Sequence, residues 1–366
     1  MGDSCGRCEP MLGLQPLASA TLVGSMPHRD RGKVIELILR TVPEIPVWPQ
    51  LPSYPSEGMM VQYLEGLPGV HRESERTCVR TDTEEFDREL YAFYEEYLEV
   101  ESEARALEDS RFRMGSETGE SFFRFLEILG GHRAGLKAVK GQIVGPFTLL
   151  AGMKDQQDRA LLYDDRLQDA VVKHLAMKAK WQVGRLRAFG CPVIVFLDEP
   201  ALAGFGSSAF ISVTRELVQS LLKEVVDAVH QAGGLAGIHV CANTDWLLAF
   251  ESGVDIINFD SYKYFDRFAL YGDAFSRFMA DGRLVAWGMV PTLDRGAILA
   301  ESAQSLADKW FAQIQHLVTP QLSTQTILAQ SIFTPSCGCA CLEESIAERV
   351  LELTGSLSEL MKAACR

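Results

Sequence analysis

Short apolar, β-rich runs alternate with amphipathic helical stretches along almost the whole chain, and nothing else in it constrains the fold as tightly. The runs are "ASATLVGS", "IPVWPQLP", "KAVKGQIVGP", "PVIVFLDEP", "LAGIHVC", "VDIINFDS", "RLVAWGMVP" and "TILAQSIFTPSCG". Between them lie helical patterns such as "RGKVIELILRTV", "LQDAVVKHLAMKAKWQVGRLRAF", "TRELVQSLLKEVVDAVHQAG" and "ESAQSLADKWFAQIQHLV". Continuous apolar strands joined through crossover helices imply a parallel sheet covered on both faces. Eight such units predict an α/β fold of the (β/α)8 TIM-barrel type.

The expected boundaries are a loose N-terminal tail over residues 1–16 and one barrel domain over 17–366. Between the second and third strand candidates, a charged and mostly helical segment over about 53–136 reads as an insertion on the barrel rim. No Pro/Gly/Ser linker brackets it, which argues against a separate domain.

Composition narrows the class. With 366 residues, 47% of them hydrophobic, the chain can bury a sizeable core. There is no apolar run of membrane-spanning length and no basic-then-apolar signal at the start. A net charge of −14 argues against nucleic acid or a membrane surface as partner. Much of that charge sits on stretches such as "YEEYLEVESEARALEDS", which read as solvated helix. Nine cysteines in a large chain without a secretion signal point to reduced thiols and a cytoplasmic setting. Cys5 and Cys8 have the CxxC spacing of a metal or redox site, but no second half accompanies them.

Barrel enzymes assemble their sites where strands end. His239 and Cys241 end the fifth candidate and, alternating with Val240, point to one face. Alone, such a pair is either core packing or half of a metal site. The sixth candidate ends at Asp260, and the eighth is followed by Cys337, Cys339 and Cys341. Imidazole, thiolates and one carboxylate oxygen converging on one pocket would form a zinc shell, with a position left for substrate. Asp198 and Glu199 end the fourth candidate. They read either as helix caps or as a partner for a cationic substrate group, with only one of the two facing the pocket.

In the order "VGSMP", "MVQYL", "GPFTLL", "LDEPAL", "IHVC", "VDIINFDSY" and "TPSCG", the chain from about Ala20 onward resembles the catalytic barrel of cobalamin-independent methionine synthase. That superfamily also holds uroporphyrinogen decarboxylase. The resemblance implies a zinc-dependent methyltransferase acting on a small-molecule thiol, homocysteine first. Zinc would be held by His239, Cys241, Asp260 and Cys337, while Ser25 and Asp198 would hold the amino acid portion. Coordination would deprotonate a thiol whose free pKa is near ~8.5.

Departures from the pattern shape the expectation further. Asp260 replaces the family's glutamate, and Gln62 stands where its homocysteine-binding glutamate would be. The seventh candidate ends in "WGMVPTLD" without a histidine-bearing segment, and the family's long N-terminal barrel is missing. The resemblance therefore implies a corrinoid protein, not a folate, as methyl donor. Its alternatives are a coenzyme M-like thiol methyltransferase, a non-catalytic zinc-bearing subunit of a corrinoid complex, and a decarboxylase-like enzyme relying on arginines such as Arg29 and Arg31.

Overall fold

The computed structural model describes residues 13–73 and 76–365; the Cys5–Cys8 pair lies outside them. Among the described residues there are eight strands: β1 (Val70–Glu73), β2 (Arg76–Val79), β3 (Val139–Val144), β4 (Val193–Asp198), β5 (Leu235–Val240), β6 (Ile256–Phe259), β7 (Leu284–Val290) and β8 (Ser331–Pro335). Strands β3 to β8 make one curled parallel sheet in sequence order, with helices in the connections, so the fold is α/β. Strands β1 and β2 form a separate antiparallel hairpin.

The first two strand candidates of the sequence do not form regular strands. They run as extended segments that touch the sheet through single parallel bridges, Ala20 to Phe333 on β8 and Val47 to Lys140 on β3. A third bridge, Ser25 to Gln50, joins the two segments to each other. The reason is partly covalent: Pro46, Pro49 and Pro52 lack the N–H that a ladder needs. The second segment is still fastened by backbone bonds, the Lys140 amide donating to the Pro46 carbonyl at 2.9 Å and the Gln50 amide to the Gly24 carbonyl at 3.0 Å, and side chains add to them. Trp48 Nε1 donates to Gln182 Oε1 at 3.2 Å, and Gln142 Nε2 donates to the Trp48 carbonyl at 3.1 Å.

Residues 53–136 are less helical than their charge pattern predicts. They hold the β1–β2 hairpin together with the helices Glu84–Glu101 and Glu120–Leu129. Buried polar contacts tie this stretch down: Glu57 pairs with Arg31 at 2.9 Å and accepts from Ser121 Oγ at 2.6 Å. Fully buried Lys178, on the helix Asp165–Leu186, donates to the Arg113 carbonyl at 2.9 Å. No helix among the described residues is long and apolar enough to cross a membrane.

Strand alternation divides the sheet's two faces. Val195, Leu197, Ile238, Ile257 and Trp287 belong to the large core formed with the helices. On the opposite, inner face, Ile194, Phe196, Ile256, Leu284, Ala286 and Ile332 form a second apolar cluster with Leu14, Ile45 and Ala138. Phe196 passes directly over Gly237, where an added Cβ would lie 2.3 Å from the ring. This apolar floor lies toward the N-terminal ends of the strands. What stands at their C-terminal ends is polar.

Candidate metal centre

Parallel register sets the inner-face residues side by side. Asp198 pairs with His239, and His239 pairs with Asn258. Cys241 follows β5 by one residue and Cys337 follows β8 by two, so both leave the sheet at its C-terminal edge. The ligand atoms of His239, Cys241 and Cys337 all lie within 4.8 Å of one another. Tetrahedral zinc ligands at ~2.0–2.3 Å from the metal stand roughly 3.5–3.8 Å apart, so small side-chain adjustments bring this set to zinc geometry. Two sulfurs and one imidazole nitrogen are also the donor chemistry that zinc prefers over magnesium or calcium.

The charges within the cluster are coupled. A hydrogen bond from Cys337, helped by His239, draws the Cys241 thiol down to about 4. The same hydrogen bond, with burial and the charge of Cys241, holds the Cys337 thiol far above its ordinary range. Burial opposes protonation of His239, but hydrogen bonding to Cys241 and the charges of Asp198 and Cys241 outweigh it and raise its pKa. Its Nδ1 lies 2.6 Å from Asn258 Oδ1, a neighbour that the sequence reading passed over.

The other anticipated residues divide by environment. Asp198 is buried with no hydrogen-bond partner for Oδ1, and burial pushes its carboxyl up to about 6 against the pull of His239 and Lys140. Gln142 Oε1 is likewise buried without a partner. Glu199 turns away from the inner face. It caps the helix Pro146–Gly152 by accepting from the amides of Phe147 at 3.0 Å and Thr148 at 2.8 Å.

Asp260 stands outside the three-residue group. Its Oδ1 accepts from the Lys263 amide at 2.9 Å and caps the helix Ser261–Phe268, while burial raises its carboxyl to about 6. Gln62 is fully buried and spent on structure, accepting from Gln50 at 2.8 Å and donating to the Thr118 carbonyl at 2.7 Å. Ser25 packs against the turn that carries Cys337: its carbonyl accepts from the Cys339 amide at 2.8 Å. A Cβ on Gly338 would collide with Ser25 Oγ at 1.8 Å. Cys339 is buried, with its thiol pushed up to about 12 by burial, and Cys341 is exposed. Arg31 is occupied by Glu57, Glu120 and the face of the Tyr54 ring.

No protein-family model matches this chain, and no curated protein does. A solved structure with a similar backbone is that of the GH113 beta-mannanase AaManA from Alicyclobacillus acidocaldarius in complex with ManMIm. It shares 10% identity, over 67% of this chain and 77% of that one, at a TM-score of 0.37. At that level the likeness attributes no activity to this chain.

These comparisons overturn the family resemblance drawn from the motifs. The chain is not placed with the methionine synthase and decarboxylase barrels: no family model and no curated protein match links it to them. Methyl transfer to a thiol, methionine biosynthesis, a corrinoid donor, and the coenzyme M-like, accessory-subunit and decarboxylase alternatives fall with it. The motifs misled for a physical reason. Each is a short string in which an apolar strand gives way to polar residues and a helix start, a pattern that strand alternation and capping generate in unrelated parallel sheets.

Proposed function

We propose that the C-terminal edge of the sheet is a zinc centre that binds and activates a small thiol carrying a cationic group. The observation that carries this reading is the convergence of His239, Cys241 and Cys337 within 4.8 Å. Three protein ligands leave one tetrahedral position for an exogenous group, as in catalytic zinc sites. Zinc bound there would hold a thiol as the thiolate, against a free pKa near ~8.5. Asp198 Oδ1 and Gln142 Oε1, both buried acceptors without partners, supply the complement to an ammonium. Asp260 stays at its helix cap, and Ser25 shapes the turn behind Cys337.

The same reading takes the fold as a complete (β/α)8 barrel forming one domain over residues 17–366. The two bridged segments would stand for its first two strands, and 53–136 would be an insertion after the second. Seven free cysteines among the described residues accord with a reducing, cytoplasmic setting.

Elemental analysis of the purified chain should find about one zinc per chain, as expected of a single site. Cys241→Ala and Cys337→Ala should each lose it while retaining the far-UV circular dichroism of the parent. In the cobalt-substituted protein, an aminothiol should perturb the visible spectrum at lower concentration than a thiol of equal length without the amine. Zinc retained in both cysteine variants would remove the site, and equal titration by the two thiols would remove the cationic group.

A further inference from the structure

We infer that Asn258 is a positioning residue that fixes which nitrogen of His239 is offered to a metal; this inference rests on the metal-centre reading above. An amide side chain can be placed either way round, so its orientation must come from its neighbours. Here they decide it. Asn258 Nδ2 lies 2.7 Å from the Ala286 carbonyl and 2.9 Å from Thr334 Oγ1. A carbonyl can only accept, so the atom facing Ala286 must be the amide NH2. Oδ1 then faces His239, 2.6 Å from its Nδ1.

An amide oxygen can only accept, so His239 Nδ1 carries the proton. When the ring is neutral, Nε2 is then the nitrogen that carries the lone pair. In the neutral ring a histidine has one donor and one acceptor nitrogen, and the partner of one decides the role of the other. Asn258 has no exposed surface, and β6 and β7 hold it in register against Ala286. Thr334 on β8 closes the other side of the amide. The imidazole is thus set from strands on which no proposed metal ligand sits. Outer partners of this kind are worth about 10–100-fold in metal affinity. A neutral amide does so without adding a second buried charge beside Asp198.

The test compares Asn258→Leu, which removes the acceptor at similar volume, with Asn258→Asp, which keeps it, and with Thr334→Val, which loosens the amide. Long-range nitrogen–proton NMR of the metal-free protein at alkaline pH should show His239 as the Nδ1–H tautomer in the parent and in Asn258→Asp. Asn258→Leu should lose that preference and weaken zinc binding about 10–100-fold. Thr334→Val should show a smaller loss of both. An unchanged tautomer in Asn258→Leu, or a parent ring protonated at Nε2, would overturn the inference. The NMR result stands whether or not zinc binds. A parent with the Nδ1–H tautomer and no zinc affinity would therefore fail the metal centre and leave the tautomer assignment in place. A correct tautomer with zinc affinity unchanged in Asn258→Leu would fail the positioning role alone.

Discussion

At the N-terminal end of the sheet, the buried carboxylate of Asp255 accepts from the Ala236 amide at 2.8 Å and lies 2.7 Å from His230 Nε2. At the C-terminal end, the equally buried Asp198 leaves Oδ1 with no partner, and Gln142 leaves Oε1. Both ends belong to the same strands and the same packed core. An unpaired buried acceptor costs free energy, roughly 1–3 kcal/mol from protein mutational data. Around Asp255 that cost is avoided. Beside His239 and Cys241 it is not avoided, and under the proposed function a ligand's donors would complete the structure there.

The most damaging way to probe this contrast is to remove the apolar floor that separates the two ends. Phe196 is fully buried between Gly237 and the Lys140 ammonium, which lies 4.3 Å from its ring centre. Phe196→Ala should cost about 3–5 kcal/mol in urea unfolding, through lost burial and a cavity. A loss below about 1 kcal/mol would mean that the floor collapses freely and does not support the residues above it.

Asp198→Asn sharpens the comparison by separating stability from binding. Removing this buried charge relieves its burial cost but also takes away its attraction for Lys140, so the unfolding midpoint should change little. Binding of an aminothiol to the cobalt-loaded protein should weaken about tenfold or more, since a charged hydrogen bond contributes roughly 1.5–3 kcal/mol. A thiol without the amine should be indifferent. Equal weakening of both would assign Asp198 to the metal and not to the ligand.

How much of this was legible beforehand follows from what each feature depends on. The parallel sheet was readable because β3 to β8 are continuous apolar runs, and His239 and Cys241 because period-two alternation puts them on one face. The irregular second segment was signalled by Pro46, Pro49 and Pro52, whose missing N–H groups weigh more than the apolar character around them, whereas "ASATLVGS" carries no such signal. Asn258 was also signalled, as a lone amide within the apolar strand Ile256–Phe259. Its partners Ala286 and Thr334 are 28 and 76 residues away in sequence. No local pattern reveals such contacts. The hairpin of β1 and β2 was hidden by its charged composition, which strand propensity does not favour.

Gly237→Ala should act on both ends at once. Its new methyl would stand 2.3 Å from Phe196 Cδ1, so the ring must move or β5 must shift under His239. Overpacking of this kind costs about 1–3 kcal/mol. A displaced β5 should also weaken zinc binding, while a displaced ring alone should leave it intact. The two readouts distinguish the strand from the side chain.

The smallest expected effect tests the satisfied end. His230 is the last basic residue of the helix Arg215–Gln231, and its pairing with Asp255 raises its pKa, with Asp227 adding to the rise and burial and Arg283 opposing it. The sign follows from the raised value. Below the unfolded-state pKa near ~6.5, both states hold the proton and the folded state keeps the full benefit of the charged pair. As pH rises through the folded-state value, the proton leaves and the benefit fades. The imidazole is 38% exposed, so solvent screening limits the gain to below about 1 kcal/mol. His230→Gln should therefore lower the urea midpoint at a pH below 6 and approach the parent above pH 8, since Gln keeps a neutral donor near Asp255. A difference independent of pH would show that the Asp255 end is held by hydrogen bonding alone, with no contribution from the imidazolium charge.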